Sequence, residues 1–409
     1  MSGIDISKLT SLWVWYLGDP AAPRKVGTVS LIPAGKRCSF TYDDSWHEGG
    51  FPLSLDMPLG RKGAIILPKD DWEVPGALAD AMPDRWGQST INAIDRPKRR
   101  TALDYLYYAG DRRFGALGIS GSADEYLPCP ADPLLTVESM EEANALIQRI
   151  LAREPLSEHE KRMLQSGRTM GGAQPKMLVS IDGEEWIAKF PNGSNVDQPL
   201  IEHASMVLAR EIGLNPVESR VHPIGHEHVV LTRRFDRRDG KRLHALSAKT
   251  MLVHEQFESY GAMAAIIRGH GAPEPAEMKA QRRELFARMV FNVLMDNTDD
   301  HTKNHAFLRR SSGHYDLAPA FDIPPQMNGL GAQAIPVAYG VDGFDRETVV
   351  QSAANFGMSP EDARQVWQDV AAGVSRWKEV FIDVGVLGID IDYLADFLDS
   401  DEKLAMRQG

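Results

Sequence analysis

Cysteine is scarce. Cys38 and Cys129 are the only two in 409 residues, and their spacing fits neither a disulfide framework nor a cysteine metal site. Long hydrophobic runs are missing as well. No stretch approaches the roughly 20 apolar residues of a membrane-spanning helix, and the N-terminus lacks the charged start and apolar core of a secretory signal. No membrane partner is expected, and a reducing cytoplasm is the expected location. Positive charge is in deficit, 45 Lys and Arg against 57 Asp and Glu, for a formal net charge of -12. Broad, unaided binding to nucleic acid draws its affinity from neutralised phosphates, so that class is excluded; a local basic patch or a basic partner chain stays open. There is no internal repeat and no low-complexity tract. What remains, 43% apolar and 25% charged, is an ordinary globular composition in a chain long enough for two or three domains with substantial cores.

The polar chemistry is concentrated in one place, Met295-Asp-Asn-Thr-Asp-Asp-His-Thr-Lys-Asn-His305, followed by Asp316-Leu-Ala-Pro-Ala-Phe-Asp322. The preceding run carries Leu285, Phe286, Met289, Val290, Val293 and Leu294 at helical spacing. A buried helix over 277–295 therefore delivers the chain into a turn dense in Asp, Asn, His and Lys, a costly arrangement unless something satisfies it. A magnesium nucleotide would do so. Asp299 suits the acceptance of a hydroxyl proton, Asn304 and Asp322 offer hard oxygen ligands to Mg2+, and Lys303 stands near phosphate charge. The spacing Asp299-x-x-x-x-Asn304 matches the catalytic loop of protein kinases, where catalysis is mostly positioning and charge neutralisation.

Residues 1–125 read as a β-rich module. Strands are predicted over Leu12–Leu17, Val26–Ile32 and Arg37–Tyr42, and an extended, Pro-interrupted segment over Phe51–Leu59. Helical pieces within 75–87 are predicted to break at Pro83 and Gly87; a short helix over Thr101–Ala109 and a turn into a strand over 110–118 follow. Trp13, Trp15 and Tyr16 are read as core or interface rather than a ligand platform. Pro128-Cys-Pro-Ala-Asp-Pro133 punctuates the chain as a boundary.

In residues 126–245 an amphipathic helix over Glu138–Arg153 precedes Ser166-Gly-Arg-Thr-Met-Gly-Gly-Ala-Gln-Pro-Lys176, then a strand from Met177, a turn at Asp182-Gly183, and a strand ending near Lys189 and Phe190. Gly171, Gly172 and Ala173 let backbone N–H groups approach an anion, although the loop is neither a Walker A nor a kinase Gly-x-Gly-x-x-Gly sequence; a hairpin loop that needs glycine for its geometry fits the same residues. Lys189 sits in an otherwise apolar strand, where a lone ammonium is disfavoured. Glu202, opening a helix predicted over Glu202–Ile212, is a candidate partner for it, as in the kinase Lys–Glu pair; a surface Lys on an edge strand is the alternative. A strand running into Arg233-Arg234-Phe235 falls where a hinge would hold adenine. From about residue 246 onward the chain reads as helical, with Ser359 capping a helix that has Pro360 at its first position, an apolar face from Ala363 to Phe381, a helical piece over Ile391–Leu398, and a polar tail.

Five segments in fixed order, Gly-Gly-Ala-Gln-Pro-Lys (171–176), Ile-Ala-Lys-Phe-Pro (187–191), Arg-Arg-Phe-Asp-Arg (233–237), Asn-Thr-Asp-Asp-His-Thr-Lys-Asn (297–304) and Leu-Ala-Pro-Ala-Phe-Asp-Ile (317–323), resemble the HipA family, the serine/threonine kinase toxins of bacterial type II toxin–antitoxin systems. Phe51-Pro-Leu-Ser-Leu and Ala81-Met-Pro-Asp-Arg-Trp-Gly resemble that family's amino-terminal module, so the likeness spans nearly the whole chain. The resemblance implies an α+β, two-lobed, protein-kinase-like fold with a β-rich N-lobe and an all-helical C-lobe, extended by a β-rich N-terminal module. It divides the chain at 1–125, 126–245 and 246–409. It implies ATP and Mg2+ as cofactors, a HipB-like helix-turn-helix antitoxin as partner, operator DNA reached mainly through that antitoxin, and a protein substrate in the translation machinery of the aminoacyl-tRNA synthetase class, whose phosphorylation arrests growth. Carried over by motif, Asp299 is the catalytic base and Asn304 and Asp322 bind Mg2+. The loop Gly171, Gly172, Ala173, Gln174, Pro175 and Lys176 holds the phosphates with Lys189; Arg233, Arg234 and Phe235 contact adenine; His301 and Lys303 lie at the phosphate end. The family modifies a Ser just ahead of the Gly-rich loop and so ejects the loop; here Thr169 stands at that position, with Ser166 three residues earlier, and a phosphate beside the nucleotide would repel it. Two other readings compete: a catalytically silent co-repressor bound to its antitoxin on operator DNA, and a metal-dependent hydrolase using Asp296, Asp299, His301, His305 and Asp322. The first would show loss of Asp299, Asn304, Asp322 or Lys189, all of which are present.

Overall fold

Alternating burial builds the first sheet. In β1 (Ser11–Tyr16) Leu12 and Val14 are fully buried, as are Val26 and Val29 of β2 (Arg24–Leu31) and Phe40 of β3 (Cys38–Tyr42). These strands run antiparallel with β4 (Ile65–Ile66) and β5 (Leu117–Ser120) in the order β4-β3-β2-β1-β5. The register shifts after Val14, a local irregularity that lets Trp15 be buried as well. Gly27 is required where β2 meets β3: a Cβ there would lie 2.3 Å from Thr41 O. The computed structural model describes residues 5–33, 35–131, 133–169, 174–328, 333–341 and 343–408.

The chain divides into two compact units, one of residues up to Asn192 with Arg233–Leu246, the other of Gly193–Thr232 with the residues from Ser247 on. In the first unit α1 (Gly76–Asp80), α2 (Arg85–Ile94) and α3 (Ala102–Tyr108) accompany the sheet. A capping box between Thr101 and Asp104 starts α3, satisfying end donors on both sides. Two details depart from expectation. Gly87 does not break a helix but lies inside α2, buried; tertiary contact overrides a propensity penalty of about 1 kcal/mol. Phe51–Leu59 forms no strand and is held instead by Tyr42, whose hydroxyl donates to Met57 O at 2.6 Å and accepts from Leu53 N at 2.9 Å. Further on come α4 (Met140–Leu151), α5 (Glu158–Met163), a 3-10 segment over Leu164–Thr169, and an antiparallel hairpin of β6 (Lys176–Ile181) and β7 (Glu184–Lys189). Its two-residue turn has Asp182 at φ 53 and Gly183 at φ 80, the left-handed pair that matches strand twist.

The second unit opens with α6 (Gln198–Glu211), one turn earlier than the sequence suggests because Asp197 caps it and Pro199 occupies its first turn. The hairpin of β8 (Ser219–Ile224) and β9 (Glu227–Arg233) follows. The helices Tyr260–His270, Pro275–Leu294, Pro360–Val374, Trp377–Val384, Gly388–Leu398 and Asp401–Gln408 make up most of the rest. The region beyond 246 is not wholly helical: Ala306–Arg309 and Tyr315–Leu317 pair antiparallel around Gly313, whose φ of 94 suits glycine. The apolar face of 363–381 is split between two helices at Ser375 and Arg376. The expected polar tail is the helix Asp401–Gln408, anchored by Trp367 Nε1 donating to Met406 O at 3.0 Å. Among the described residues no helix is long and apolar enough to cross a membrane.

Candidate active site

From Leu285 to Leu294 every side chain of the long helix is buried. That includes Arg288, whose guanidinium donates to Glu284 Oε1 and Ala318 O, each at 2.8 Å. The helix gives way at Met295, and Asp296 reverses the chain with φ 53, a left-handed conformation uncommon for a residue with a side chain. Lys403, from the last helix, secures this end. Its ammonium donates to Val293 O at 2.6 Å, a carbonyl of the final turn that also accepts from Asp296 N at 3.3 Å, and lies 3.1 Å from Asp296 Oδ1.

Three bonds then tie the turn to the segment bearing Asp322. Asn297 Nδ2 donates to Asp322 O at 3.3 Å, Gln326 N to Asp296 O at 3.1 Å, and Thr298 Oγ1 to Asn328 Oδ1 at 3.0 Å. Asn304 Nδ2 donates back to Asp299 O at 3.4 Å. Asp322, like Asp296, has left-handed backbone, φ 60. The two neighbouring aspartates face opposite ways: Asp299 is exposed, with His301 and Lys303, while Asp300 is buried. Asp300 accepts from the Tyr260 hydroxyl and lies 2.9 Å from His305 Nε2, and Asn292 Nδ2 donates to Tyr260 Oη at 3.1 Å. Burial, and then the Asp300 carboxylate, push the Tyr260 phenol well above its ordinary range, so it stays a donor. In this buried network Tyr260 and Asp300 have no role in the sequence reading, which placed His305 only among the ligands of the hydrolase. The signal was the doubled Asp299-Asp300, since side chains of consecutive residues in such a turn point apart.

Two of the five ligands of the hydrolase reading have other partners: Asp296 is paired with Lys403 and His305 with Asp300.

The first unit carries the other group of candidate residues. Lys176 and Lys189 are direct partners across the β6–β7 hairpin, so their side chains leave the same face, and both are buried, at 9% and 6% exposure. Gln174 Nε2 donates to Phe190 O at 3.2 Å and Phe190 N to Pro175 O at 2.9 Å, which fixes the loop's return. Gly171, Gly172 and Ala173 lie outside the described residues. Ser166 and Thr169 belong to the 3-10 segment, and their hydroxyl oxygens are buried with no hydrogen-bond partner among the described residues. Glu202 is buried on α6 in the second unit.

Of the three expected adenine contacts, Arg233 is exposed and bonded to Glu184. Arg234 spends all five N–H donors within the first unit: on Asp236 Oδ1 at 2.9 Å and Oδ2 at 2.7 Å, Glu185 Oε2 at 3.0 Å, Arg112 O at 2.7 Å and Arg113 O at 2.9 Å. Burial pushes the Asp236 carboxyl up, but Arg234 and Arg237 outweigh it and hold the group far below the usual carboxylate range. Phe235 meets Phe114 edge to face, centroids 6.0 Å apart.

The described elements make an α+β protein with a kinase-like fold. Family models match the HipA-like C-terminal domain over residues 168–377, more than half of the chain, and the HipA N-terminal domain over 20–120. The chain belongs to the HipA family. A solved structure, the Shewanella oneidensis MR-1 toxin–antitoxin system of HipA, HipB and operator DNA, matches with a TM-score of 0.67 at 19% identity, covering 97% of this chain and 96% of that one; it shares the fold. A candidate kinase of Haemophilus influenzae is 28% identical over 190 residues, 40% of this chain and 54% of that protein, so the match spans about half of the curated relative. The Helicobacter pylori proinflammatory kinase CtkA reaches a TM-score of only 0.39 at 15% identity, over 58% of this chain and 90% of that one, too low to bear on the comparison.

Proposed function

We propose that the chain is an ATP- and Mg2+-dependent serine/threonine protein kinase, the toxin of a HipBA-like toxin–antitoxin pair. One observation carries the reading: the bonded turn that presents Asp299 to solvent while fixing Asn304 and the backbone of Asp322 beside it. The residues suit the cofactors. Asn304 and Asp322 bring oxygen donors, which a hard cation prefers, and Lys176 with Lys189 forms a doubled cation suited to phosphate oxygens. Bound Mg2+ would supply charge neutralisation at the transferred group.

In the proposed step a substrate hydroxyl oxygen forms a bond to the γ-phosphorus. The bond from that phosphorus to the bridging oxygen breaks, ADP departs with the electron pair, and the hydroxyl proton passes to the Asp299 carboxylate. The loop 171–176 holds phosphates; Arg233 and Phe235, with the backbone of Arg234, are the proposed adenine side; His301 and Lys303 border the phosphate end; Glu202 is the proposed partner of Lys189. A HipB-like helix-turn-helix antitoxin is the proposed partner, operator DNA is bound mainly through it, and a translation component is the proposed substrate in the cytoplasm. Self-phosphorylation at Thr169 or Ser166 is the proposed off-switch. No specific observation favours the silent co-repressor.

The test is incubation of the purified chain with γ-labelled ATP, Mg2+ and host lysate. Label transferred to a discrete protein, lost in Asp299→Asn, is the expected result. Release of free phosphate alone, or growth arrest that survives Asp299→Asn, overturns the reading.

A further inference from the structure

The motif Ala81-Met-Pro-Asp-Arg-Trp-Gly87 has no part in the chemistry above, yet α2, which it opens, touches both stems of the phosphate loop. After the loop, Trp86 Nε1 donates to Lys176 O at 2.7 Å. Before it, Asp95 Oδ2 lies 3.1 Å from Arg168 Nε as a buried ion pair, the two side chains 13% and 5% exposed. The fit between them is close: a Cβ on Gly167 would stand 3.2 Å from Lys176 O and 3.4 Å from Trp86 Nε1.

What α2 holds is intrinsically weak. Leu164–Thr169 is a six-residue 3-10 segment, a geometry with poor hydrogen bonds that is rarely sustained on its own. It also keeps the hydroxyls of Ser166 and Thr169 sealed from water without a partner among the described residues, which costs free energy that other contacts must offset. Neither hydroxyl can meet a phosphorus atom while sealed. Release of the segment therefore frees two nucleophiles and loosens the stems of the loop at once.

We propose that α2 is a clasp on the nucleotide loop, with Trp86 and Asp95 as positioning residues that set both the affinity for nucleotide phosphates and the rate at which Ser166 and Thr169 emerge. The clasp rests on the kinase reading, which it deepens by giving the N-terminal module a regulatory task.

The test compares the full chain with Trp86→Phe, which keeps an aromatic ring but removes the indole donor and part of the buried side-chain volume, and Asp95→Asn. Binding of MgATP by calorimetry is expected to weaken about tenfold in each, the loss of one buried hydrogen bond or ion pair. KM for ATP should rise with kcat for an added substrate within about twofold. Amide exchange over 164–169 should quicken while β1 to β3 keep wild-type protection, and mass spectrometry should find faster phosphate uptake at Ser166 or Thr169. Wild-type affinity, or wild-type exchange in 164–169, overturns the clasp, and Trp86→Phe decides the matter if Asp95→Asn fails to fold. A wild-type chain that binds no MgATP overturns the kinase reading and the clasp with it. A wild type that binds MgATP, with Trp86→Phe binding it equally well, overturns the clasp alone.

Discussion

Asp299 and Asp300 show how much one residue step decides. The first is exposed with its carboxylate available as a base; the second is sealed beneath it, spoken for by Tyr260 and His305. Asp299→Asn should lower phosphotransfer by about 10²- to 10⁴-fold, the usual value of a general base, with little change in melting temperature; quantitative labelling beside a thermal melt checks both. Asp95 offers a pH test. Burial raises its carboxyl from 3.8 to about 6, with Arg168 and Lys161 only partly opposing, and Tyr108 and Cys129 also face it. Between those values the folded chain binds the extra proton and the unfolded chain does not. Stability therefore falls as pH rises from about 4 to about 6, by on the order of 3 kcal/mol at about 1.4 kcal/mol per unit, and is flat in this respect above. Denaturant titrations from pH 4 to 7 should show that slope, and Asp95→Asn should remove it.

Among elements, the last helix has more to do than its composition suggests. Asp401–Gln408 reads as a polar tail, yet Lys403 is buried and spans Val293 O and Asp296. Lys403→Met strands the Asp296 carboxylate without its partner. Breaking a buried pair in this way costs about 3–5 kcal/mol; urea unfolding should register that loss, and Lys403→Met with Asp296→Asn together should recover part of it. Legibility differs by element for the same reason. The strands around Leu12, Val29 and Phe40 and the helix into Met295 were readable because each has one apolar face with a fixed period. The helix 401–408, the hairpin at 306–317 and Gly87 inside α2 were not, since their placement depends on contacts far away in sequence: Trp367 with Met406, Arg288 with Ala318, Trp86 with Lys176. At the site, Asp299, Asn304 and Asp322 were visible through spacing. Tyr260 and Lys403 carry no motif and lie 40 and 107 residues from the carboxylates they hold, Asp300 and Asp296.

At the scale of the whole molecule, the compact units interleave: Arg233–Leu246 returns to the unit that ends at Asn192. The Arg234 network explains why that return is firm. It gathers Arg112, Arg113, Glu185 and Asp236 around one guanidinium with no donor left over.

The cross-strand pairing of Lys176 with Lys189 brings a practical consequence. If these two side chains hold nucleotide phosphates as proposed, other tetrahedral oxyanions occupy the same place. Sulfate or inorganic phosphate at millimolar levels should raise the melting temperature of the wild type by mass action and leave a Lys189→Met variant nearly unmoved. Such a screen would reveal the loop's charge preference before any turnover is detected, and it advises against phosphate buffers in the first nucleotide titrations.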